Sequence, residues 1–566
     1  MGELVKKRKV KNVAAIVIIA ALAVGMVFTT GLVGGSDQPH LPQHQQTEQQ
    51  GQPPAPPDNG NGEQPNQNDS NSEQQGQPPA QPDNDSGGIS TGMKVLTGAE
   101  ALAIALIIVY LIMSGFNSKS FKETLPNKKK LTAFVVASIL AGGALGGAGI
   151  LIPEKMSPEM PNNQPQMQQE TEQVEATGAT TVDGEEQTLN DTYESETADE
   201  NAVLVTNGGT LNSDGATINK KSGDGSNTDS CDFHGVNAGL LVNGDSTATV
   251  KNATIKTSAN RSNGVFCTGE KSTIKISDST IETTGESSCR GLDATNGGTI
   301  TADNVNITTQ GGSCAALATD RGEGTVTVSN SKLETNGAGS PIIYSTGDIS
   351  IDNTNANANG SQIAVVEGKN SATITQSVLT ASAAGNRGDV DVCGVMLYQS
   401  MSGDADQGTS TFKAVDSTLS IDKSSQYYKT APMFFVTNTD SVIKLTRAQL
   451  NFGSSTLLSV KGTSEWGNEG SNGGTATLIA QNQELKGNIE VDDISEAKIN
   501  LEKKSVFEGT INGDNTAKSV VLKVSSNSKV VLTGDSYVTS FEDEDADYSN
   551  IDFNGYKLYV DGTAIN

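Results

Sequence analysis

Aromatic side chains, basic residues and cysteines are all scarce in this sequence of 566 residues. Phe, Trp and Tyr make up only 4% of the chain, which argues against a compact enzyme core built on aromatic packing. There are 38 Lys and Arg against 66 Asp and Glu, and this net charge of −28 excludes sequence-independent binding to nucleic acid. Five cysteines are too few for a small disulfide-stapled scaffold.

Three long apolar segments are present instead, at residues 13–33, 95–116 and 131–152. As a helix, the first would extend about 32 Å at 1.5 Å per residue, enough to cross a hydrocarbon core of ~30 Å. A cleavable signal peptide is the alternative for this segment, although its apolar stretch is longer than the usual ~7–15 residues. We therefore expect three transmembrane helices.

Basic residues flank these segments unevenly. They lie before the first segment and between the second and third: Lys6, Lys7, Arg8, Lys9, Lys11, Lys119, Lys122, Lys128, Lys129 and Lys130. Short loops rich in Lys and Arg stay in the cytoplasm. This pattern predicts that 36–94 and everything after 153 lie outside the cytoplasmic membrane.

The composition divides the chain into five parts. Residues 1–35 are a cytoplasmic basic segment with the first transmembrane helix, 36–92 a disordered Gln/Pro/Asn-rich linker, and 93–152 a transmembrane helical hairpin. Residues 153–200 are predicted to be an acidic disordered linker, because they carry too little apolar surface to fold. Residues 201–566 are predicted to be an extracellular β domain.

That last part is periodic. Alternating blocks such as Ile274-x-Ile276 recur, each followed by a polar residue and a second alternating set. The polar position falls at steps of 26, 26, 26, 23 and 23 along Asn252, Asp278, Asn304, Asn330, Asn353 and Gln376. Alternation indicates strands with one buried face, and Asn or Asp at the break indicates a corner in the left-handed backbone region. We call these six residues the polar corner ladder.

Each repeat holds about three short strands and no helical period, so the strands must stack coil upon coil as a parallel β-helix. The strict six-residue period of left-handed coils is absent, which favours an all-β, right-handed, three-faced solenoid. After residue 485 the pattern changes to Leu485-x-Gly487, Phe507-x-Gly509 and Leu532-x-Gly534. Over 203–566 the chain resembles the pectin-lyase-like superfamily of right-handed β-helices, specifically its bacterial adhesin-like surface members.

The resemblance implies that a polysaccharide lyase or hydrolase would need clustered acids and basic residues on one exposed face. The hydrolase pattern would also include a Gly-His-Gly block, whereas His234 is the only histidine in the domain and lies in a different context. Asp293 is predicted to point outward with Asp320 one coil later, and both are interpreted as ordinary surface acids. No catalytic residue is assigned.

Ligand-binding candidates are the aromatic residues of the loops and insertions, Trp466, Tyr427 and Tyr428. Asp543, Asp545 and Asp547 are weak candidates for calcium, since oxygen-rich loops bind this ion. A solvated acidic turn is the preferred interpretation, and no other cofactor is expected.

All five cysteines lie in the predicted outer domain. Cys289 and Cys314 are one coil apart, within the Cα separation of ~4.4–6.8 Å that a disulfide allows. Stacked free thiols are preferred, because neighbours on one face point their Cβ atoms in parallel, and a bridge is the alternative. Cys267 is predicted to point into the core.

The leading hypothesis is a membrane-anchored cell-surface protein that displays the β-helix as an adhesin or structural stalk, with glycans or surface proteins of another cell as partners. The alternative is a carbohydrate-active β-helix, either a polysaccharide lyase or hydrolase or a glycan-binding module. An outer face that gathers three acids, or acids with bases, would favour this alternative.

Overall fold

The structure is a computed structural model that describes residues 174–566 except 386, 388, 389 and 391. The three apolar segments, the linker 36–92 and residues 153–173 lie outside the described residues. Within the described part, no helix has the length and apolar character needed to cross a membrane.

The described chain folds into stacked sheets of parallel strands, as predicted for a parallel β-helix. The largest three have 12, 14 and 10 strands and are called sheets 1, 2 and 3. Sheet 1 comprises Thr177–Asp183, Glu200–Thr206, Leu240–Val242, Val265–Thr268, Leu292–Thr295, Leu317–Thr319, Ile343–Ser345, Ala364–Glu367, Val395–Tyr398, Phe434–Thr437, Thr456–Val460 and Asn488–Val491. Sheet 2 comprises Glu186–Thr188, Thr210–Asp214, Thr247–Lys251, Thr273–Ser277, Thr299–Asp303, Thr325–Ser329, Asp348–Asp352, Ser371–Thr375, Thr409–Val415, Asp440–Thr446, Thr475–Gln481, Glu496–Glu502, Ser519–Val524 and Ser540–Asp543.

Sheet 3 comprises Thr192–Ser195, Thr217–Lys220, Thr254–Thr257, Thr280–Thr283, Asn306–Thr309, Lys332–Thr335, Asn355–Ala358, Val378–Ala381, Thr418–Ile421 and Gln449–Asn451. Sheet 4 then takes its place with Glu484–Lys486, Val506–Gly509, Lys529–Leu532 and Ile551–Asp552. Sheet 5 contains Ser536–Val538, Leu558–Val560 and Thr563–Ala564, and its last two strands are antiparallel. The described part also contains a seven-residue helix, Thr228–His234.

Alternation along each strand of sheet 2 sends apolar side chains into a shared core. Ile276 pairs with Val250 on one side and Ala302 on the other, and all three are buried. Thr273, on the opposite parity of the same strand, is half-buried. The predicted inward stack is therefore confirmed. Burying each such side chain contributes about 1.5–3 kcal/mol.

Corners between sheets 2 and 3 are made by the polar corner ladder. All six residues adopt positive φ, between 45° and 53°, the left-handed region that Asn and Asp tolerate best. Their side chains also bond from coil to coil: Asn304 Nδ2 donates to Asp278 Oδ1 at 2.7 Å, and Asn353 Nδ2 donates to Asn330 Oδ1 at 2.7 Å. Each of these two amide groups thus donates a hydrogen bond to the corner residue of the preceding coil, at the position where the backbone turns.

The structure differs from the sequence prediction in two places, the start of the solenoid and the register of the last repeats. The first strand begins at Thr177 and the third strand ends at Ser195, so the solenoid starts within the predicted linker 153–200. These strands are mostly polar, and Val182 is the one fully buried apolar residue of Thr177–Asp183, so hydrophobic alternation is nearly absent there. At the other end, Phe507 pairs with Val530 rather than Leu532, which places the third Leu-x-Gly copy two residues out of register.

Sheet 1 differs from sheet 2 because both of its faces are buried over its middle strands. Its outward positions form a column, Phe266, Asp293, Ala318, Tyr344, Val365 and Met396, in which each residue pairs with the next. Strands Val265–Thr268, Leu292–Thr295 and Ala364–Glu367 are buried at every residue. The helix Thr228–His234 and two loops contact this outer face, and they shape the candidate site.

Candidate functional site

Three carboxylates surround one buried arginine on the outer face of sheet 1. Arg290 is only 8% exposed. Its Nη1 lies 2.9 Å from Asp232 Oδ1 and its Nη2 lies 2.8 Å from Asp320 Oδ2. Its Nε lies 3.5 Å from Asp293 Oδ2. We call these four residues the arginine–aspartate cluster.

The cluster is assembled from three coils. Asp293 lies on strand Leu292–Thr295, Arg290 just before it, and Asp320 just after the next strand of the sheet. Asp232 comes from the helix Thr228–His234, which sits in an enlarged coil: Thr247 stacks on Thr210, 37 residues earlier. This helix is well terminated, because Asn227 Oδ1 accepts from Ser230 N at 2.8 Å and Gly235 ends it with φ 71°.

Burial and close charges shift the pKa values of three members of the cluster. Desolvation raises the pKa of Asp293 to about 7, although Arg290 opposes the shift. Desolvation likewise raises the pKa of Asp320 well above its usual value, against the same arginine. Burial disfavours the charge of Arg290, but Asp232, Asp320 and Asp293 outweigh it and hold its pKa well above the usual value. Neither oxygen of Asp293 has a hydrogen-bond partner within the described residues.

Three aromatic side chains lie beside the cluster. Tyr398 and Trp466 pack edge to face with ring centroids 5.0 Å apart. Tyr398 Oη donates to Glu367 Oε2 at 2.7 Å and Tyr344 Oη donates to the same oxygen at 3.2 Å. Burial raises the pKa of both tyrosines well above the usual value, so both keep their protons.

Together these groups enclose a cavity of about 260 Å³. Its lining includes Asp232, Arg290, Asp320, Tyr344, Tyr398 and Trp466. The lining therefore combines charged and aromatic side chains. This volume is slightly below the ~300–1,000 Å³ typical of sites for drug-sized ligands, so the cavity suits one small chemical unit.

A loop after strand Val395–Tyr398 closes one side of the cavity. Asp404 of this loop lines the cavity and accepts from Arg321 Nη2 at 2.8 Å. Arg321 in turn stacks over Phe233 of the helix, with Cζ 3.9 Å from the ring centroid. The loop and the helix are thus joined through one arginine. Another arginine of the lining, Arg387, lies over Trp466 with Cζ 5.5 Å from the ring centroid.

The three aromatic candidates predicted from the sequence lie in different surroundings. Trp466 lines the cavity but is only 4% exposed, so it is not the exposed loop aromatic that the sequence indicated. Its Nε1 is buried and has no hydrogen-bond partner among the described residues. Tyr427 lines a different cavity, of about 610 Å³, with Phe435 and Glu490. Tyr428 lies under Lys429, whose Nζ is 5.2 Å from the ring centroid.

The calcium candidates form a self-bonded turn. Asp543 Oδ1 accepts from Asp545 N at 2.9 Å, and Asp545 Oδ2 accepts from Ser549 Oγ at 2.6 Å. The hydrogen bond from Ser549 is the main reason the pKa of Asp545 is lowered. The described residues contain no His, Cys, Asp and Glu group arranged to hold a metal ion. The preferred interpretation, an acidic turn, matches this bonding.

The arginine–aspartate cluster is not among the sequence predictions, which place Asp293 and Asp320 on the surface. That prediction is wrong: they are 0% and 3% exposed. Outward positions of a strand meet solvent only where nothing covers the sheet, and inserted segments cover this one. A signal was present, since strands such as Val265–Thr268 are apolar at both parities, as expected for a sheet buried on both faces.

All five cysteines are buried. Cys289 N donates to Cys314 Sγ at 3.0 Å, so the two thiols stack on successive coils as preferred, and no bridge joins them. Cys267 lies in the central core, as predicted.

Comparisons of the chain with protein-family models, with curated proteins and with solved structures found no match. The class of this protein is therefore stated from its fold and its candidate site alone. The described chain is a parallel β-helix solenoid with a charged and aromatic cavity on the covered face of one sheet.

Proposed function

We propose that this protein is a membrane-anchored surface protein whose β-helix, of the right-handed, adhesin-like type, binds a saccharide in the cavity on sheet 1. Anchoring rests on the three apolar segments and their flanking lysines. The single observation that supports saccharide binding is the cavity itself, whose lining combines carboxylates with aromatic rings around a space for one small unit.

The chemistry of the lining supports this proposal. Sugars present hydroxyl groups around their edges and C–H groups on their faces, so they fit a site with polar groups on one side and aromatic rings on the other. Asp232 and Asp404 provide acceptors, and Tyr344, Tyr398 and Trp466 provide apolar surface. The unpartnered Trp466 Nε1 adds a donor.

The test is a glycan array probed with the full chain in detergent micelles. We expect binding to a restricted set of glycans, and we expect Trp466→Ala to weaken that binding roughly tenfold or more, because aromatic contacts of this kind are large contributors. Tyr556→Ala is the matched control, since Tyr556 is 38% exposed and lies far along the chain near the C-terminus. Absence of binding to any glycan, or an equal loss in both variants, would contradict the proposal.

Cleavage of the bound saccharide is a second candidate, favoured by Asp320. Burial raises the pKa of this carboxyl group, which lines the cavity, and so favours its protonated form; glycosidases use such a group as a general acid beside a second carboxylate. Incubating glycan hits with the full chain and measuring new reducing ends tests this candidate. We expect Asp320→Asn to abolish any release, and an equal rate in the variant would exclude Asp320 as the acid.

A further inference from the structure

The cavity has an excess of hydrogen-bond acceptors over donors. Tyr344 and Tyr398 each have one hydroxyl proton, and both protons are directed to Glu367. Only their oxygen lone pairs remain for a ligand. The carboxylates of Asp232 and Asp404 also line the cavity, and a carboxylate accepts only.

The donors of the lining are mostly engaged, apart from the unpartnered Nε1 of Trp466, which a sugar hydroxyl can accept from. The guanidinium of Arg290 is directed at the three other members of the arginine–aspartate cluster. Arg321 is engaged by Asp404, and Arg387 lies over the ring of Trp466. A ligand that complements this surface must therefore bring its own donors.

The charges of the lining and its immediate backing are also unequal. The carboxylates are those of Asp232, Asp293, Asp320, Asp404 and Glu367, whereas the guanidiniums are those of Arg290, Arg321 and Arg387. His234 does not supply the missing charge, since burial and Arg321 lower its pKa. The site therefore takes a cation as Asp293 and Asp320, whose pKa values burial raises, give up their protons.

We propose that the cavity recognises a primary ammonium group carried by a saccharide, that is, an amino sugar without N-acetylation. This inference rests on the proposed saccharide binding and narrows its ligand class. An ammonium has three donors and no acceptor, so it matches the lining. It also gains from the faces of the tyrosine and tryptophan rings, which attract cations.

Proton linkage follows from the same geometry. In the free protein, the excess negative charge is reduced by protons on Asp293 and Asp320, whose pKa values burial raises. A bound ammonium favours the ionised carboxylates and displaces protons. Binding of an amine should therefore release protons and weaken as the pH falls from about 7 to about 5.5, because acid restores the protons that compete with the ligand.

The experiment is calorimetry on the full chain in detergent micelles with two probes, a trimer of β-1,4-linked glucosamine and its fully N-acetylated counterpart. We expect the amine to bind roughly tenfold or more tightly at about pH 7. Repeating the titration in two buffers of different ionisation enthalpy should reveal proton release with the amine alone. Equal affinity for the two trimers would overturn the ammonium proposal and leave saccharide binding intact.

Two variants sharpen the result. Glu367→Gln offers an amide donor to the tyrosine hydroxyls and frees their protons for the cavity, so the preference for the amine should fall several-fold or reverse. Asp320→Asn should weaken the amine selectively. Glu542→Gln, at an exposed acid that pairs with Lys523, is the matched control and should change nothing.

The remaining outcomes are also decisive. If neither trimer binds and the glycan array is empty, the proposed function and this inference both fail. If neither trimer binds but other glycans do, only the inference fails. If spermidine or a lysine peptide binds and the amino sugar does not, the cavity binds ammonium groups of molecules that are not saccharides, and the saccharide assignment is wrong. An unchanged preference in Glu367→Gln would contradict the donor–acceptor argument even if the Asp320 variant failed to fold.

Discussion

At the scale of single residues, the two faces of a strand have opposite tolerance to charge. Ile276 is 2% exposed and stacks between Val250 and Ala302, whereas Thr273 on the same strand is half-buried and points outward. A charge placed at the first position would have no partner and no water, and a charge at the second would remain hydrated.

We therefore expect Ile276→Asp to lower the free energy of unfolding by about 3–5 kcal/mol and Thr273→Asp to change it by less than about 1 kcal/mol. Urea denaturation of the full chain, followed by circular dichroism, measures both. Similar losses in the two variants would show that the face assignment is wrong.

Asp293 makes stability depend on pH. Its folded pKa of about 7 lies above the unfolded value of about 3.9, so the folded state binds the proton more tightly. Its contribution to stability is complete below about pH 4 and is lost as the pH rises through about 7, at about 1.4 kcal/mol per unit.

The variant Asp293→Asn keeps a neutral side chain of the same shape at every pH. We expect it to be more stable than the wild type above about pH 7, with the advantage shrinking as the pH falls towards 4. Urea midpoints measured across this range provide the check. A constant difference between the two proteins would contradict the assigned titration.

At the scale of elements, the corner between sheets 2 and 3 combines backbone and side-chain requirements. Asn304 has φ 53° and its Nδ2 donates to Asp278 Oδ1. The left-handed region costs about 1–2 kcal/mol for most residues, less for Asn, and nothing for glycine. The exposed hydrogen bond adds roughly 0.5–1.5 kcal/mol.

Substitutions at Asn304 separate the cost of the left-handed backbone conformation from the contribution of the side-chain hydrogen bond. We expect Asn304→Ala to lose about 2 kcal/mol of folding free energy and Asn304→Gly to lose about 1 kcal/mol, because glycine relieves the backbone but not the lost bond. Thermal or urea unfolding of both variants measures the difference. If glycine were the worse substitution, the conformational argument would be incorrect.

At the scale of the whole molecule, one continuous core runs along the solenoid from Val182 to Leu558. Neighbouring coils support each other and none can bury its apolar residues alone. The antiparallel strands Leu558–Val560 and Thr563–Ala564 depart from the parallel stack at its C-terminal end. The whole chain of 566 residues has a net charge of −28, and charge of one sign opposes association between copies.

The topology of the whole chain gives one further prediction. Because lysines flank the apolar segments on one side, residues 153–566 should lie outside the cytoplasmic membrane. Protease added to intact cells should release the β-helix, while a cytoplasmic marker protein stays intact. Full protection of the β-helix until the cells are lysed would contradict this orientation.

The sequence by itself determined the repeat. Alternation predicted strands with one buried face, the Asn and Asp spacing predicted the corners, and stacking followed because no helical segment separates the strands. These features could be predicted because each depends on residues adjacent in one coil and is repeated many times. Only part of the site could be predicted. The aromatic side chain of Trp466 indicates a ligand-binding residue, but its burial depends on contacts that the sequence pattern does not show.

Only the tertiary structure decided where the cavity forms. Asp232 and Arg290 are 58 residues apart and meet because a short helix in one enlarged coil lies over sheet 1. Trp466 reaches the same face from an insertion several coils later. An insertion carries no periodicity, so local pattern cannot tell which face it covers. The answer depends on long-range contacts, and those contacts turn three ordinary aspartates into a buried, unbalanced site.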